Sequence, residues 1–321
     1  MILAPGAFRL LLALAVMASH VSRWEVGRLA VLLFFFLSGY WVTRIWSSKF
    51  SMNRLGAFYG ARYFRIAPMY LLVMSVTAAL TGAPILLHNL TLLGVASVGK
   101  DPTGVSWSLD IELQFYLLVP FLVTLVATSP RTAVALCAAV PLLGWFVLHP
   151  MGLVTLAQYL PAFMLGMFTS TQKYAPGRRM ALTSLAAFGT ATIALMLFPA
   201  TFKLLDKLQP NFIDQDIFAF LWMLPLLPYV AHSLTLKSSS LDRHFGNLSY
   251  PLYLVHFPII LWAVEHFGEG PISKLLACGL SCIVALILYV LFDRPVDAIR
   301  LRIFESSTPS SQKSHSKSAS P

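Results

Sequence analysis

The chain has 321 residues, 57% hydrophobic and only 11% charged, with a mean hydropathy of +0.74. A soluble domain carries about 25% charged residues, so these few charges cannot coat a globule of this size and apolar surface must face lipid. That excludes a soluble enzyme, a nucleic-acid-binding domain and a disordered chain, and it leaves the net charge of +10 to be explained by its distribution.

A spanning helix needs about 20 mostly apolar residues. Ten such runs follow one another, at roughly 7–22, 28–46, 66–82, 107–128, 132–149, 153–170, 180–199, 217–235, 249–266 and 272–292. They are apolar all round rather than strictly alternating, which predicts helices and not barrel strands. Pro130, Pro150, Pro176, Pro210 and Pro271 fall between them, where helices should stop. The expected fold is an all-α polytopic membrane protein. Residues 1–304 form the membrane domain, and a disordered tail rich in Ser, Thr, Pro, Gln and Lys follows at 305–321.

Orientation follows from Lys and Arg in the loops. With the N-terminus inside, the outer loops hold only Arg23, Arg28, Lys100, Lys203, Lys207 and Lys274, whereas the first inner loop alone holds Arg44, Lys49, Arg54, Arg62 and Arg65. Lys313 and Lys317 extend the bias into the tail. Both termini are expected in the cytoplasm. The first run has a competing reading as a signal peptide, since residues 10–18 resemble an h-region and Val16 and Ala18 suit a cleavage site. Its only positive residue is Arg9, which follows eight uncharged ones.

Ionisable residues inside spans are costly and are functional-site candidates by default. In the first span Arg9 and His20 are eleven residues apart, about 16.5 Å along a helix and about 1100° around it, close to three full turns. They therefore share a face, with the cation near one membrane surface and the imidazole deeper. An imidazole suits general-base chemistry. Equally, Arg9 can snorkel to lipid phosphates while His20 packs near an interface. Arg62 and Arg65 lie three apart at the inner mouth of the third span, where guanidinium forks suit a phosphate-rich ligand or simply obey the positive-inside rule. Asp110 and Glu112 head the fourth span, about 200° apart on a helix and so on different faces. One suits the helix N-terminus, and the other needs a partner such as His20 or an arginine. Gln114 and Tyr116 follow on the same stretch. His256 lies in the ninth span near Tyr250 and Tyr253 without a set of ligands at metal spacing. No metal site is expected. Cys137, Cys278 and Cys282 lie in apolar runs and imply no disulfide framework.

Taken with their neighbours, these residues resemble the acyltransferase family 3 membrane proteins. Arg9, ten residues, then His20 has the spacing of that family's first helix. FFFLSGYWVTR at 34–44, with Ser38 and Gly39, is similar to its phenylalanine-rich segment. Arg62–Arg65 followed by Pro68 and Tyr70 is similar to its paired-arginine element, and WSLDIELQFYLLVP at 107–120 to its tryptophan–glutamate–glutamine–phenylalanine–tyrosine segment. YLPAFMLGM at 159–167 and FGNLSYPLYLVHFP at 245–258 resemble two further stretches. Asp293 before Arg294 and Pro295 stands where a glutamate is usual, and Leu113 replaces a frequent second glutamate.

The resemblance implies O-acyl transfer, usually of acetyl, from cytoplasmic acyl-CoA to a hydroxyl of a surface carbohydrate or lipid-linked glycan at the bacterial inner membrane. Acyl-CoA is then a donor substrate and no bound cofactor is expected. Either a partner protein completes the transfer outside the membrane or this domain acts alone. Arg9, Arg62 and Arg65 are expected to hold the donor, His20 to act as base and Glu112 to orient it. Ser38, Trp107, Gln114, Tyr116 and His256 are expected to line the pocket, with Ser38 or His256 donating to the oxyanion. Two rivals stand beside this reading. A transporter or flippase for a lipid-linked glycan uses the same buried charges to line a path, and a non-enzymatic membrane partner uses them as interhelical glue.

Overall fold

The computed structural model describes residues 2–209 and 213–304. The expected tail from residue 305, with Lys313 and Lys317, and the break at Pro210 lie outside the described residues. The chain is an all-α polytopic membrane protein. Its helices are α1 (Pro5–Val21), α2 (Val26–Lys49), α3 (Leu55–Thr81), α4 (Leu87–Thr91), α5 (Val95–Val98), α6 (Trp107–Thr128), α7 (Pro130–Leu143), α8 (Leu156–Thr171), α9 (Arg178–Leu197), α10 (Pro199–Phe202), α11 (Gln215–Met223), α12 (Leu227–Ser233), α13 (Ser240–Phe267), α14 (Pro271–Leu288) and α15 (Arg294–Phe304). Among the described residues there is no strand, only an isolated bridge between Trp24 and Asp206. Among the described residues eight helical segments are long and apolar enough to cross a membrane. The other two expected spans are shorter: α1 has 17 residues and α8 has 16, about 24–26 Å of helix.

Boundaries differ from expectation where a turn of helix is more polar than the lipid-facing stretch beside it. α3 begins at Leu55, eleven residues before the expected 66, so Arg62 and Arg65 sit within the helix and not at its mouth. The expected span at 217–235 is α11 and α12 joined by a 3₁₀ turn at Leu224–Leu226, because Pro225 and Pro228 remove amide donors there. The last span passes through a π-helical turn at Tyr289–Asp293 and continues as α15 to Phe304, beyond the expected end at 292.

α1 is held in place by a neighbour's carboxylate. Pro5 opens it, and the amides of Gly6 and Ala7 donate to Asp242 of α13 at 3.0 and 2.7 Å, a negative charge at the positive end of the helix dipole. Gly6 permits this approach, since a Cβ there would lie 1.7 Å from the Asp242 carbonyl oxygen. α8 starts with a capping box in which the Ala157 amide donates to the Thr155 hydroxyl and the Thr155 amide to Gln158. α2 is the central helix, packed on α1, α6, α8 and α11. Phe35 of α2 stacks on Phe163 of α8 at 4.5 Å, and Phe163 on Phe115 of α6 at 4.2 Å. On the outside Leu80, Phe146, Ile272 and Leu275 are largely exposed, as lipid contact requires.

Candidate active site

Two cavities flank the α1–α2 pair. The first, about 360 Å³, is lined by Arg9 of α1, Ser38 of α2, Arg62 and Arg65 of α3, and Glu112 and Tyr116 of α6, together with Tyr250 and Tyr253 of α13. The second, about 700 Å³, is lined by His20 at the end of α1, Glu25 and Arg28 at the start of α2, Trp107 of α6, Tyr159 of α8, Lys207 and Asp216. Val31 and Tyr253 belong to both linings. The single face shared by Arg9 and His20 thus places one at each cavity.

In the arginine cavity the polar groups are closely joined. Glu112 accepts from the Ser38 hydroxyl at 2.6 Å and from the Tyr116 hydroxyl at 2.7 Å. Arg65 pairs with Asp293 at 3.3 Å and reaches Asp297 at 3.8 Å, and its guanidinium lies 5.6 Å from the Tyr250 ring centre. Arg62 is buried. Arg9 is within electrostatic range of Glu112 and Asp293 without a hydrogen bond to either. Arg9, Arg62 and Arg65 thus line one space together with Lys49 and Arg300, against a single lining carboxylate, Glu112, a net positive lining suited to an anion such as phosphate.

In the histidine cavity Arg28 bridges two carboxylates, Asp216 at 2.5 Å and Glu25 at 3.4 Å. The Tyr159 hydroxyl donates to Asp216 at 2.9 Å, and the Tyr159 ring lies 5.6 Å from that of Trp107. Residues 206–207, after α10, close the end of α1. Lys207 donates to the Ser19 carbonyl and Arg23 pairs with Asp206. Burial raises the Glu25 carboxyl above its ordinary range, against the pull of Arg28 and Lys207, and burial also lowers the Lys207 amine.

A family model described as an acyltransferase domain matches residues 3–293. The chain belongs to acyltransferase family 3. No curated protein and no solved structure is similar enough to match it. As a family 3 acyltransferase it is a multi-pass membrane protein, and the matched stretch takes in the residues of both cavities named above.

In this acyltransferase the structure brings together Arg9, Ser38, Arg62, Arg65, Glu112 and Tyr116, and separately His20 and Trp107. It does not bring Glu112 to His20. The carboxylate is engaged by Ser38 and Tyr116, and the ring neighbours of His20 are His256 at 5.2 Å and Phe257 at 4.7 Å. Ser38 gives its proton to Glu112 and is not placed to donate to an oxyanion. His256 lines neither cavity. Its Nδ1 lies 3.1 Å from the Leu252 carbonyl oxygen, which can only accept, so Nδ1 carries the proton and the neutral ring has no second donor. Gln114 is a fastener between helices, donating to Asp110 and accepting from the Leu156 amide, each at 2.9 Å. Asp110 lies in the first turn of α6, where one carboxylate of the pair was expected, but the amide it accepts from, Ala96 at 2.9 Å, belongs to α5. Asp293, Tyr250, Arg28, Asp216 and Tyr159 are site residues that sequence reasoning missed. The signal for Arg28 and Asp216 was opposite charge at the ends of two spans; Arg28 was read only as an outer-loop charge, and Asp216 was not singled out.

Proposed function

We propose that the chain is an integral membrane O-acyltransferase that moves an acyl group, acetyl in the first instance, from acyl-CoA to a hydroxyl of a cell-surface carbohydrate or lipid-linked glycan. The observation that carries the reading is the pair of cavities with a common wall: guanidinium groups on one side, an imidazole on the other, and Val31 and Tyr253 between. CoA phosphates dock on Arg9, Arg62 and Arg65 at the cytoplasmic face of the bacterial inner membrane, and the pantetheine arm carries the thioester past Tyr253 toward His20. The acceptor occupies the histidine cavity, where the Trp107 and Tyr159 rings offer apolar faces to a sugar and the Asp216–Arg28–Glu25 cluster offers hydroxyl partners.

The step is a single displacement. His20 takes the proton of the acceptor hydroxyl as its oxygen attacks the thioester carbonyl. The tetrahedral intermediate collapses, the carbon–sulfur bond breaks, and the proton passes from His20 to the leaving CoA thiolate. An ester and free CoA result, with His20 returned to its starting form.

The test is CoA release from labelled acetyl-CoA by the purified chain in nanodiscs, with and without envelope glycans as acceptor. Acceptor-dependent release supports the reading. Movement of glycan across the bilayer with no acetyl-CoA consumed overturns it in favour of the transporter. Donor binding gives a second check. Arg9 lines the cavity within electrostatic range of Glu112 and Asp293 and has no salt bridge to a carboxylate among the described residues, so its donors are open to the ligand, and a hydrogen bond to a charged group contributes about 1.5–3 kcal/mol. Arg9→Gln is therefore expected to weaken acyl-CoA binding by roughly ten- to a hundredfold at normal expression. Arg65→Gln is expected to cost folding yield as well, because it strands the buried Asp293 carboxylate. Equal, unchanged affinities in both variants would make these arginines topology residues only.

A further inference from the structure

His256 has no exposed surface. With Nδ1 protonated against the Leu252 carbonyl, its Nε2 is a bare lone pair, and among the described residues that atom is buried without a hydrogen-bond partner. A buried acceptor left unsatisfied is costly, so the groups around it decide what it is for. Two rings adjoin it. Tyr253, 5.9 Å away, cannot supply a proton, because its hydroxyl donates to the Val105 carbonyl at 3.0 Å and also bonds Ser108 at 2.7 Å. His20 is the other, with ring centres 5.2 Å apart and planes tilted 46°. At that separation two imidazoles that turn a nitrogen toward each other are within hydrogen-bonding distance. His20 is the half-buried ring with one side on the cavity, and so the one free to turn. His256 lines neither cavity, so substrate does not reach it and its lone pair acts only through His20.

We propose that His256 is a positioning residue: its Nε2 accepts an N–H from the His20 ring, and so leaves the opposite His20 nitrogen unprotonated and turned to the cavity. This rests on the reading of His20 as the base. The fixed i to i−4 bond to Leu252 makes His256 a donor on one side and an acceptor on the other, which selects one tautomer of His20. The same acceptor holds the His20 N–H when the acceptor hydroxyl's proton arrives on the other nitrogen. It does the orienting task that a carboxylate performs in a catalytic triad, without placing a charge in the bundle.

The test uses the full chain in nanodiscs with ¹⁵N-labelled histidine, at a pH alkaline enough for neutral imidazoles, with the His20 signals identified by their absence from His20→Ala. A single His20 tautomer is expected in the wild type, a mixture of both in His256→Leu, and a single tautomer again in His256→Gln, whose amide oxygen restores an acceptor. In steady-state assays kcat is expected to fall about ten- to a hundredfold in His256→Leu with KM for both substrates unchanged, and to recover in part in His256→Gln. A mixture of tautomers already in the wild type overturns the proposal even if His256→Leu fails to fold, and so does a single tautomer that survives in a folded His256→Leu. The spectra need no turnover, so a wild type with the expected tautomer and no acyl-CoA consumption would sink the acyltransfer reading while leaving the His20–His256 contact standing.

Discussion

Replacing His20 by alanine is expected to lower acceptor-dependent CoA release by about 10²–10⁴-fold, the span that a positioned general base contributes. The chain should still insert and run as a monodisperse species. The two halves of this expectation come from different features. The catalytic half rests on the imidazole, set at the wall of the larger cavity beside Trp107, Tyr159 and the Arg28 cluster. The structural half rests on what anchors the helix: the His20 ring packs beside two other rings, His256 and Phe257, while the end of α1 is separately fixed by Lys207 on the Ser19 carbonyl. Truncation therefore removes a proton acceptor without removing a helix anchor. CoA release measured beside gel filtration of the same preparation separates the two. Wild-type rates in a folded His20→Ala protein would mean that the base lies elsewhere, and Glu25 would be the next group to test.

The helices were legible because the lipid-facing residues are apolar without interruption, and that pattern depends on solvent and not on tertiary detail. Helix ends were less legible. Arg62 and Arg65 looked like a loop because charged residues end a hydropathy window, yet α3 carries them inside the bundle, where Asp293 neutralises Arg65. The residues of the site could be picked out one at a time, as ionisable groups in an apolar setting. Their grouping could not. Arg9 and His20 share a face, but nothing in that face reveals that Val31 and Tyr253 close the space between them. The mistaken partnership of Glu112 with His20 has the same cause. Spacing along one helix fixes direction, whereas a partner on another helix depends on how closely the two approach. Asp293 was noticed only as a departure from a family pattern, and it acquires a role because the π-helical turn Tyr289–Asp293 brings its carboxylate to α3.

Helix approach is also what a second large effect would probe. Gly39 of α2 and Gly166 of α8 face each other's backbones: a Cβ at Gly39 would lie 2.1 Å from the Phe163 carbonyl oxygen, and one at Gly166 would lie 2.0 Å from that of Phe36. Small residues at such contacts let transmembrane helices pack where no hydrophobic driving force exists between them. Gly189 of α9, by contrast, has nothing within 4 Å of its added Cβ. The same change to alanine should therefore act in opposite directions. Gly189→Ala removes backbone freedom in a helix interior and should stabilise by about 0.5–1 kcal/mol. Gly39→Ala drives a methyl into a carbonyl that cannot turn aside without breaking its own helix bond, and should destabilise by about 1–3 kcal/mol or more. Thermal loss of the monodisperse gel-filtration peak for the two variants and the wild type measures the difference. The consequence reaches the site because Ser38 is the residue just before Gly39 on α2 and holds Glu112 at 2.6 Å, while Tyr159 on α8 holds Asp216 at 2.9 Å. A helix pair pushed apart by one methyl moves a polar contact in each cavity, so Gly39→Ala should lose donor binding and turnover together in whatever fraction remains folded. A Gly39→Ala protein as stable and active as the wild type would show that α2 and α8 have room to slide, and that the two cavities are less tightly fixed to one another than these contacts require.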